Sequence, residues 1–312
     1  MRRLRILLSL VLLLAGNAQA QFHHVYTPPP SGGSYTGPLD AVGVSAVECF
    51  SFVRGCSASY ATGGNAAETI TRTSDSHFCN LNVATGGGLS NTTGCGSSGD
   101  NGQTLASFLS GTTGTITSVV DQTGNGNTAT GSIGLQLSCN GSLVCGTFNG
   151  TSQALNNPSF SSTAAQPYTM AFVFYMPSTI SSQGAGLATY PVSIGTQNAS
   201  ACTPNTSPCA TAYAGFAQQS IAVSSNAWHS LIVVFNGASS TYSIDGASPT
   251  TVGASLGTDA LTTDFWIGAF HYAQYFTGNI EEGMIFASAL TNTEQTNLCH
   301  NFRIAFTTGG TC

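Results

Sequence analysis

Lysine is missing from this 312-residue chain, and arginine occurs only six times, at Arg2, Arg3, Arg5, Arg54, Arg72 and Arg303. Nucleic-acid binding needs clustered cations that displace phosphate counterions, so that class of partner is excluded. Charged residues of either sign make up just 6%, too few for the Glu- and Lys-rich pattern of a coiled coil or helical bundle. Carboxylates are sparse where they would be needed for chemistry. No Glu lies between Glu68 and Glu281, and no Asp between Asp121 and Asp245. There is no C-x-x-C pair to hold zinc, no G-x-S-x-G elbow for a serine nucleophile, and no glycine-rich phosphate loop leading into a helix. The low-hydrophobicity signature of disorder is lacking too, since 41% of residues are hydrophobic.

What is abundant is glycine, 37 residues, with Ser, Thr, Asn and Ala. That describes a turn-rich β protein with a hydroxyl-rich surface. The start reads as an export signal: Arg2, Arg3 and Arg5 precede the apolar run Ile6 to Ala15, and Ala18-Gln19-Ala20 has the small-x-small cleavage pattern. Residues 1–20 are therefore expected to be removed, leaving three arginines against twelve acids, a net charge of −9, and no membrane span. A secreted or cell-envelope location follows. An acidic, lysine-free surface suits neither anionic lipid nor polyanions and leaves uncharged partners open.

All ten cysteines, Cys49, Cys56, Cys79, Cys95, Cys139, Cys145, Cys202, Cys209, Cys299 and Cys312, lie beyond that signal. An even count in an exported chain predicts disulfides, and closeness in sequence suggests the neighbours as pairs, although spacing alone leaves the connectivity open. Residues 21–38, with Pro28-Pro29-Pro30-Ser31-Gly32-Gly33, read as a linker. Residues 39–312 are then expected to form a single domain. Strand-like runs fill it: Thr115–Val120, Val144–Phe148, Tyr168–Met176, Thr211–Gln218, Trp228–Phe235, Ser240–Asp245, Asp264–Phe270 and Asn279–Phe286. Leu231 to Phe235 is continuously apolar, as a strand buried on both faces would be. Asn236-Gly237 and Asp245-Gly246 read as hairpin turns. Short helices are expected over Gln103–Leu109 and Thr291–Asn301, the second opened by a Thr291-x-x-Glu294 capping box. The expected fold class is all-β, a two-sheet antiparallel jelly-roll sandwich with one or two short helices.

Several segments in this order resemble the laminin-G-like, concanavalin A-like jelly roll. They are Gly146-Thr147-Phe148-Asn149-Gly150, Tyr168 to Val173, Trp228 to Val234, Tyr242 to Gly246, and Gly278 to Phe286 followed by Ala289-Leu290-Thr291. In the N-terminal half, Arg72-Thr73-Ser74-Asp75 and Asp121-Gln122-Thr123-Gly124-Asn125-Gly126-Asn127 are distantly similar to the catalytic domain of α-L-arabinofuranosidase B. That resemblance implies a retaining glycosidase, which needs a nucleophile and an acid/base carboxyl about 5–5.5 Å apart. In that family the nucleophile is a Glu on the strand before the one matching Trp228 to Phe235. Here Ala210 to Val223 holds no acid. The family's acid/base Asp sits in a Gly-rich loop before the last strand; here that loop, Gly268 to Gly278, holds no carboxylate.

The remaining candidates for catalysis are Asp121, Asp264, Glu281 and Glu282. Glu281 and Glu282 are sequence neighbours, so alternation would send them to opposite faces. Asp121-Gln122-Thr123-Gly124 starts like a calcium loop, but position twelve is Ser132 rather than Glu. Asp121 also suits an Asx-type turn, and with Asn125 and Asn127 it is kept as a candidate calcium set because jelly rolls often hold calcium with such oxygens. Phe270, His271, Tyr272 and Tyr275 concentrate aromatics where the resembling enzymes place their substrate pocket. Neutral sugars are held by aromatic faces and uncharged hydrogen-bonding groups. The leading expectation is a lectin-like protein binding a neutral polysaccharide or cell-surface glycan without catalysis and without a required cofactor. The alternatives are an arabinofuranosidase-type hydrolase with a relocated acid pair, and a structural or adhesive surface protein.

Overall fold

A computed structural model describes residues 34–84, 86–89, 95, 102–140, 143–180, 182–202 and 208–305. The expected signal, most of the linker and Cys312 lie outside them. In chain order the helices are α1 (Pro38–Val42), α2 (Ala58–Thr62), α3 (Leu105–Phe108) and α4 (Asn292–Ala305). The first strands are β1 (Glu48–Ser51), β2 (Ala66–Arg72), β3 (Phe78–Asn82), β4 (Gly114–Val119), β5 (Ala129–Asn140) and β6 (Leu143–Asn149). Next come β7 (Ala154–Asn157), β8 (Tyr168–Met176), β9 (Gly184–Thr189), β10 (Val192–Gln197), β11 (Cys209–Ala214) and β12 (Gln218–Ala222). The chain continues through β13 (Ala227–Phe235), β14 (Thr241–Ile244), β15 (Thr250–Thr251), β16 (Phe265–Ile267) and β17 (Thr277–Phe286).

The named strands pair antiparallel throughout and fall into two layers. One runs β3-β2-β4-β5-β6-β17-β8-β13-β14-β15, with β1 on the second half of β17. The other runs β5-β7-β16-β9-β10-β11-β12, so β5 is shared and forms the corner between layers. The main core lies between the two. Met170, Phe172 and Phe174 of β8 and Leu231 and Val233 of β13 meet Phe265 and Ile267 of β16, Leu187 of β9 and Ile194 of β10. On the outer face of the first layer, Ala171, Val173, Ile232, Met284 and Phe286 form a second core with Leu298 and Phe302 of α4 and Val42 of α1. Strand β13 is thus buried on both faces, as its continuous apolar run requires. With α4 covering the first layer's outside, the second layer's outer face is the one left to loops.

The expected run Thr211–Gln218 is in fact two strands, β11 and β12, joined by a turn at Gly215-Phe216. Gly215 has φ +93°, and a Cβ there would strike the Asp259 carboxylate. The Asp245-Gly246 turn has both residues left-handed, φ +51° and +79°, and closes through Ala247 N–H to Ile244 O at 2.9 Å. Four disulfides join Cys49–Cys56, Cys79–Cys95, Cys139–Cys145 and Cys202–Cys209. Cys299 is also disulfide-bonded. Tyr35, on the linker side of residue 39, is packed into the main core and donates to Gly55 O at 2.5 Å.

Candidate functional site

Loop 268–276 crosses the outer face of the second layer. It begins at Gly268, φ +83°, where the backbone presses on the Phe148 ring so closely that a Cβ would overlap it. Phe276 ends it inside the main core, its ring edge-on to Phe148 at 5.8 Å. Between these anchors the chain doubles back, with Phe270 and Ala273 exchanging backbone hydrogen bonds at 2.8 and 3.1 Å. Three non-glycine residues, His271, Tyr272 and Gln274, have φ of +46°, +61° and +48°. Left-handed backbone is costly for such side chains and persists only where surrounding contacts over-determine it. Those contacts are visible: Ala185 N–H donates to Gln274 O at 2.9 Å, and His271 Nδ1 meets Asp264 Oδ2 at 2.5 Å.

The loop presents a cluster of rings. Phe270 and Tyr275 pack down on Ala185, Ala188 and Ala269, beside the buried Trp266. Tyr272 stands edge-on to Trp266 at 4.5 Å and to His271 at 5.1 Å. Tyr190, from the β9–β10 turn, lies 4.7 Å from His271 and 5.2 Å from Phe270. The outer members are open to solvent: Tyr190 is 46% exposed and Tyr272 67%. Underneath, the Trp266 indole N–H is buried without a hydrogen-bond partner. Of the predicted aromatics, the structure therefore brings Phe270, His271, Tyr272 and Tyr275 together, with Phe270 and Tyr275 as half-buried supports. Tyr190 and Trp266 join them from other strands, and no local pattern in the sequence marks either.

Three of the four candidate acids, Asp264, Asp121 and Glu282, each have separate partners. Asp264 orients His271. Asp121 closes its own loop, accepting Thr123 N–H at 2.9 Å and Thr123 O–H at 2.6 Å on one oxygen and Asn127 N–H at 3.1 Å on the other. Asn127 Oδ1 takes Ser161 N–H and O–H, each at 2.9 Å, while Asn125 and Asn127 donate to Val47 O. The side-chain oxygens of Asp121 and Asn127 in the candidate calcium set thus accept from loop donors. Glu282 is fully buried against Arg54, with Oε2 to Nε at 2.9 Å and Oε1 to Nη2 at 2.5 Å, beneath α4. It grips a guanidinium rather than loop amides. Glu281, beside the bulge where β17 pairs with β8, is likewise fully buried.

Two further constellations went unnoticed in sequence. Glu48 and Asp121 are close enough for the Asp121 charge to add to the burial that pushes Glu48 well above the usual carboxylate range. Both are buried, and the open recess of about 500 Å³ nearby is lined by Tyr60, Asn65, Gln122 and Thr123 instead. Ser224, His229 and Asp245 imitate a nucleophile–base–acid series: Ser224 Oγ is 3.3 Å from His229 Nε2, and Nδ1 is 2.7 Å from Asp245 Oδ2. Yet Nε2 lies 2.8 Å from the Ser224 carbonyl oxygen, which only accepts. A nitrogen donating there has no lone pair for the serine proton, so the trio ties β13 to the β14 turn.

Residues 149–294 match a family profile described as the concanavalin A-like lectin/glucanases superfamily, and the two-layer sandwich is a concanavalin A-like jelly roll. No curated protein matches the chain. Among solved structures, a GH54 α-L-arabinofuranosidase soaked with a cyclic sulfate inhibitor is similar at TM-score 0.69 and 15% identity, over 86% of this chain and 65% of that one. An arabinofuranosidase complexed with arabinofuranosyl-α-1,2-xylobiose is similar at TM-score 0.66, with the same identity and coverage. The chain thus spans 65% of the length of these structures, and at 15% identity the likeness is one of fold.

Proposed function

We propose that this jelly roll is an exported module that binds a neutral glycan without cleaving it, with the ligand seated on Tyr190, His271 and Tyr272. The observation that carries the reading is the exposed ring cluster, held by over-determined left-handed backbone. It lies in a stretch of chain, Arg72 to Arg303, with no cation between those two arginines. Aromatic faces stack on the C–H faces of sugars, while the imidazole and phenol groups reach hydroxyls. His271 is held by Asp264, so its Nε2 side is presented in one orientation. The solved arabinofuranosidases of similar fold lend support as carbohydrate-active proteins. The disulfide cross-links support folding in an oxidising, extracytoplasmic compartment.

Affinity electrophoresis through gels containing arabinoxylan, arabinan or galactomannan tests the reading. Retardation in at least one gel is expected, lost or cut about tenfold in Tyr272→Ala and His271→Ala. Equal mobility of wild type in every gel and in a polysaccharide-free gel would sink it. The hydrolase alternative is tested alongside, with an aryl α-L-arabinofuranoside. The expected release equals that of a heat-killed control, and sustained turnover would replace binding by catalysis.

A further inference from the structure

The ring cluster does not stop at the loop. From Tyr272 the contacts run through His271 and Tyr190 to Phe270, and from Phe270 to Tyr213 on β11 at 6.4 Å. Tyr213 is the cross-strand partner of Gln218 on β12. Phe216 sits in the turn between them, 78% exposed. This turn is fixed: Ala214 and Phe216 N–H groups both donate to Leu256 O, at 3.1 and 3.0 Å, and Asp259 N–H donates to Ala214 O at 3.3 Å. A lone exposed phenylalanine needs no explanation. One held on a clamped turn three residues after Tyr213, the last ring of that run, does.

From Gln218 a set of side-chain amides leads back along the layer, toward the end where Gln197 pairs with Cys209. Gln183 donates to Gln218 Oε1 at 2.6 Å, and Gln218 in turn donates to Gln197 Oε1 on β10. Such planar, uncharged groups match sugar hydroxyls as donors and acceptors. Thr189, Val192 and Ala214 are successive Cα partners across β9, β10 and β11. The turns carrying Tyr190 and Phe216 therefore lie at one end of the layer, two strand spacings or about 10 Å apart. A single sugar ring cannot touch both.

We propose that the strip from Tyr272 to Phe216, with the Gln183–Gln218–Gln197 amides, binds an interior stretch of several units of a neutral polysaccharide rather than one terminal sugar. The inference rests on the glycan-binding reading above and adds the length of the ligand. The occupant is uncharged because the strip has amides and phenols but no lysine or arginine to neutralise an anionic polymer.

Titration calorimetry with arabinoxylan-derived oligosaccharides of two and six units, and electrophoresis in arabinoxylan gels, tests it. The six-unit chain is expected to bind about tenfold tighter than the two-unit chain, and Phe216→Ala to abolish that gain while leaving two-unit binding unchanged. Because Phe216 is exposed, an unchanged melting midpoint verifies that the variant is folded. Equal affinity for both lengths, or wild-type affinity of Phe216→Ala for the six-unit chain, overturns the extended strip while leaving glycan binding standing. No binding of any arabinoxylan chain by wild type overturns the proposal, and the galactomannan and arabinan gels then decide whether the broader reading falls with it.

Discussion

Glu68 shows how far single residues depart from what their type suggests. It is fully buried on β2 between apolar neighbours, and neither carboxyl oxygen has a hydrogen-bond partner. Burial raises it well above the usual carboxylate range. An unpartnered buried polar group costs about 1–3 kcal/mol, and an apolar replacement of similar size recovers that cost. Glu68→Leu is therefore expected to raise the thermal midpoint; a fall would show a partner role for this carboxyl. Arg54 is the opposite case, buried and forked onto Glu282. Arg54→Met strands a buried carboxylate and is expected to cost about 3–5 kcal/mol in denaturant unfolding, against near-wild-type stability if the pair contributes little. Neither case is legible in sequence, because a glutamate in a β-rich run reads as a solvent-facing position until its layer is known.

At the scale of elements, local chemistry was far more readable. The capping box at α4 forms as written: Thr291 Oγ1 accepts Glu294 N–H at 3.3 Å, and Glu294 Oε2 accepts Thr291 N–H at 2.6 Å. Thr291→Ala should cost about 1 kcal/mol in urea unfolding, and no change would mean that tertiary packing alone sets the helix start. The loop at Asp121 also follows from its residues, its carboxylate gathering three donors. Since those oxygens face loop donors, calcium or a chelator is expected to leave the melting midpoint unmoved; a midpoint rising with calcium concentration would reveal a real site. Strands β8 and β13 stand out in sequence because both faces are apolar. Strands β1 and β2 do not stand out in sequence, since Glu48 and Glu68 interrupt the apolar alternation from inside. The β11–β12 turn was missed because Ala and Gln continue on either side of one Gly-Phe step.

For the whole molecule, the buried acids set a pH response. Glu48 and Glu68 are raised in the folded state, so folding retains protons that the unfolded chain releases above its ordinary carboxylate range. Their stability contribution is fully present below about pH 4.5 and declines as pH rises toward their folded values. Asp75 acts the other way. Hydrogen bonding from Arg72 lowers it to about 2, so its contribution persists above the ordinary carboxylate range and is lost as pH falls through that value. The thermal midpoint is expected to be higher at pH 5 than at pH 8; calorimetry across pH 3–9 showing the reverse would place these acids in contact with counter-charges. Glu68→Leu should flatten the decline.

Sequence by itself determined the all-β class, the antiparallel strands with double-sided burial, the capped last helix and the scarcity of cations, because each is a local matter of periodicity, turn chemistry or count. Only the tertiary structure decided which groups meet. Pairing of β9, β16 and the 268–276 loop brings Tyr190, Trp266 and His271 together across some 80 residues, and the two-layer packing takes Glu281 and Glu282 out of solvent. Side-chain direction on a strand is fixed by register with its neighbours, and register is a property of the assembled layers, which no stretch of sequence carries alone.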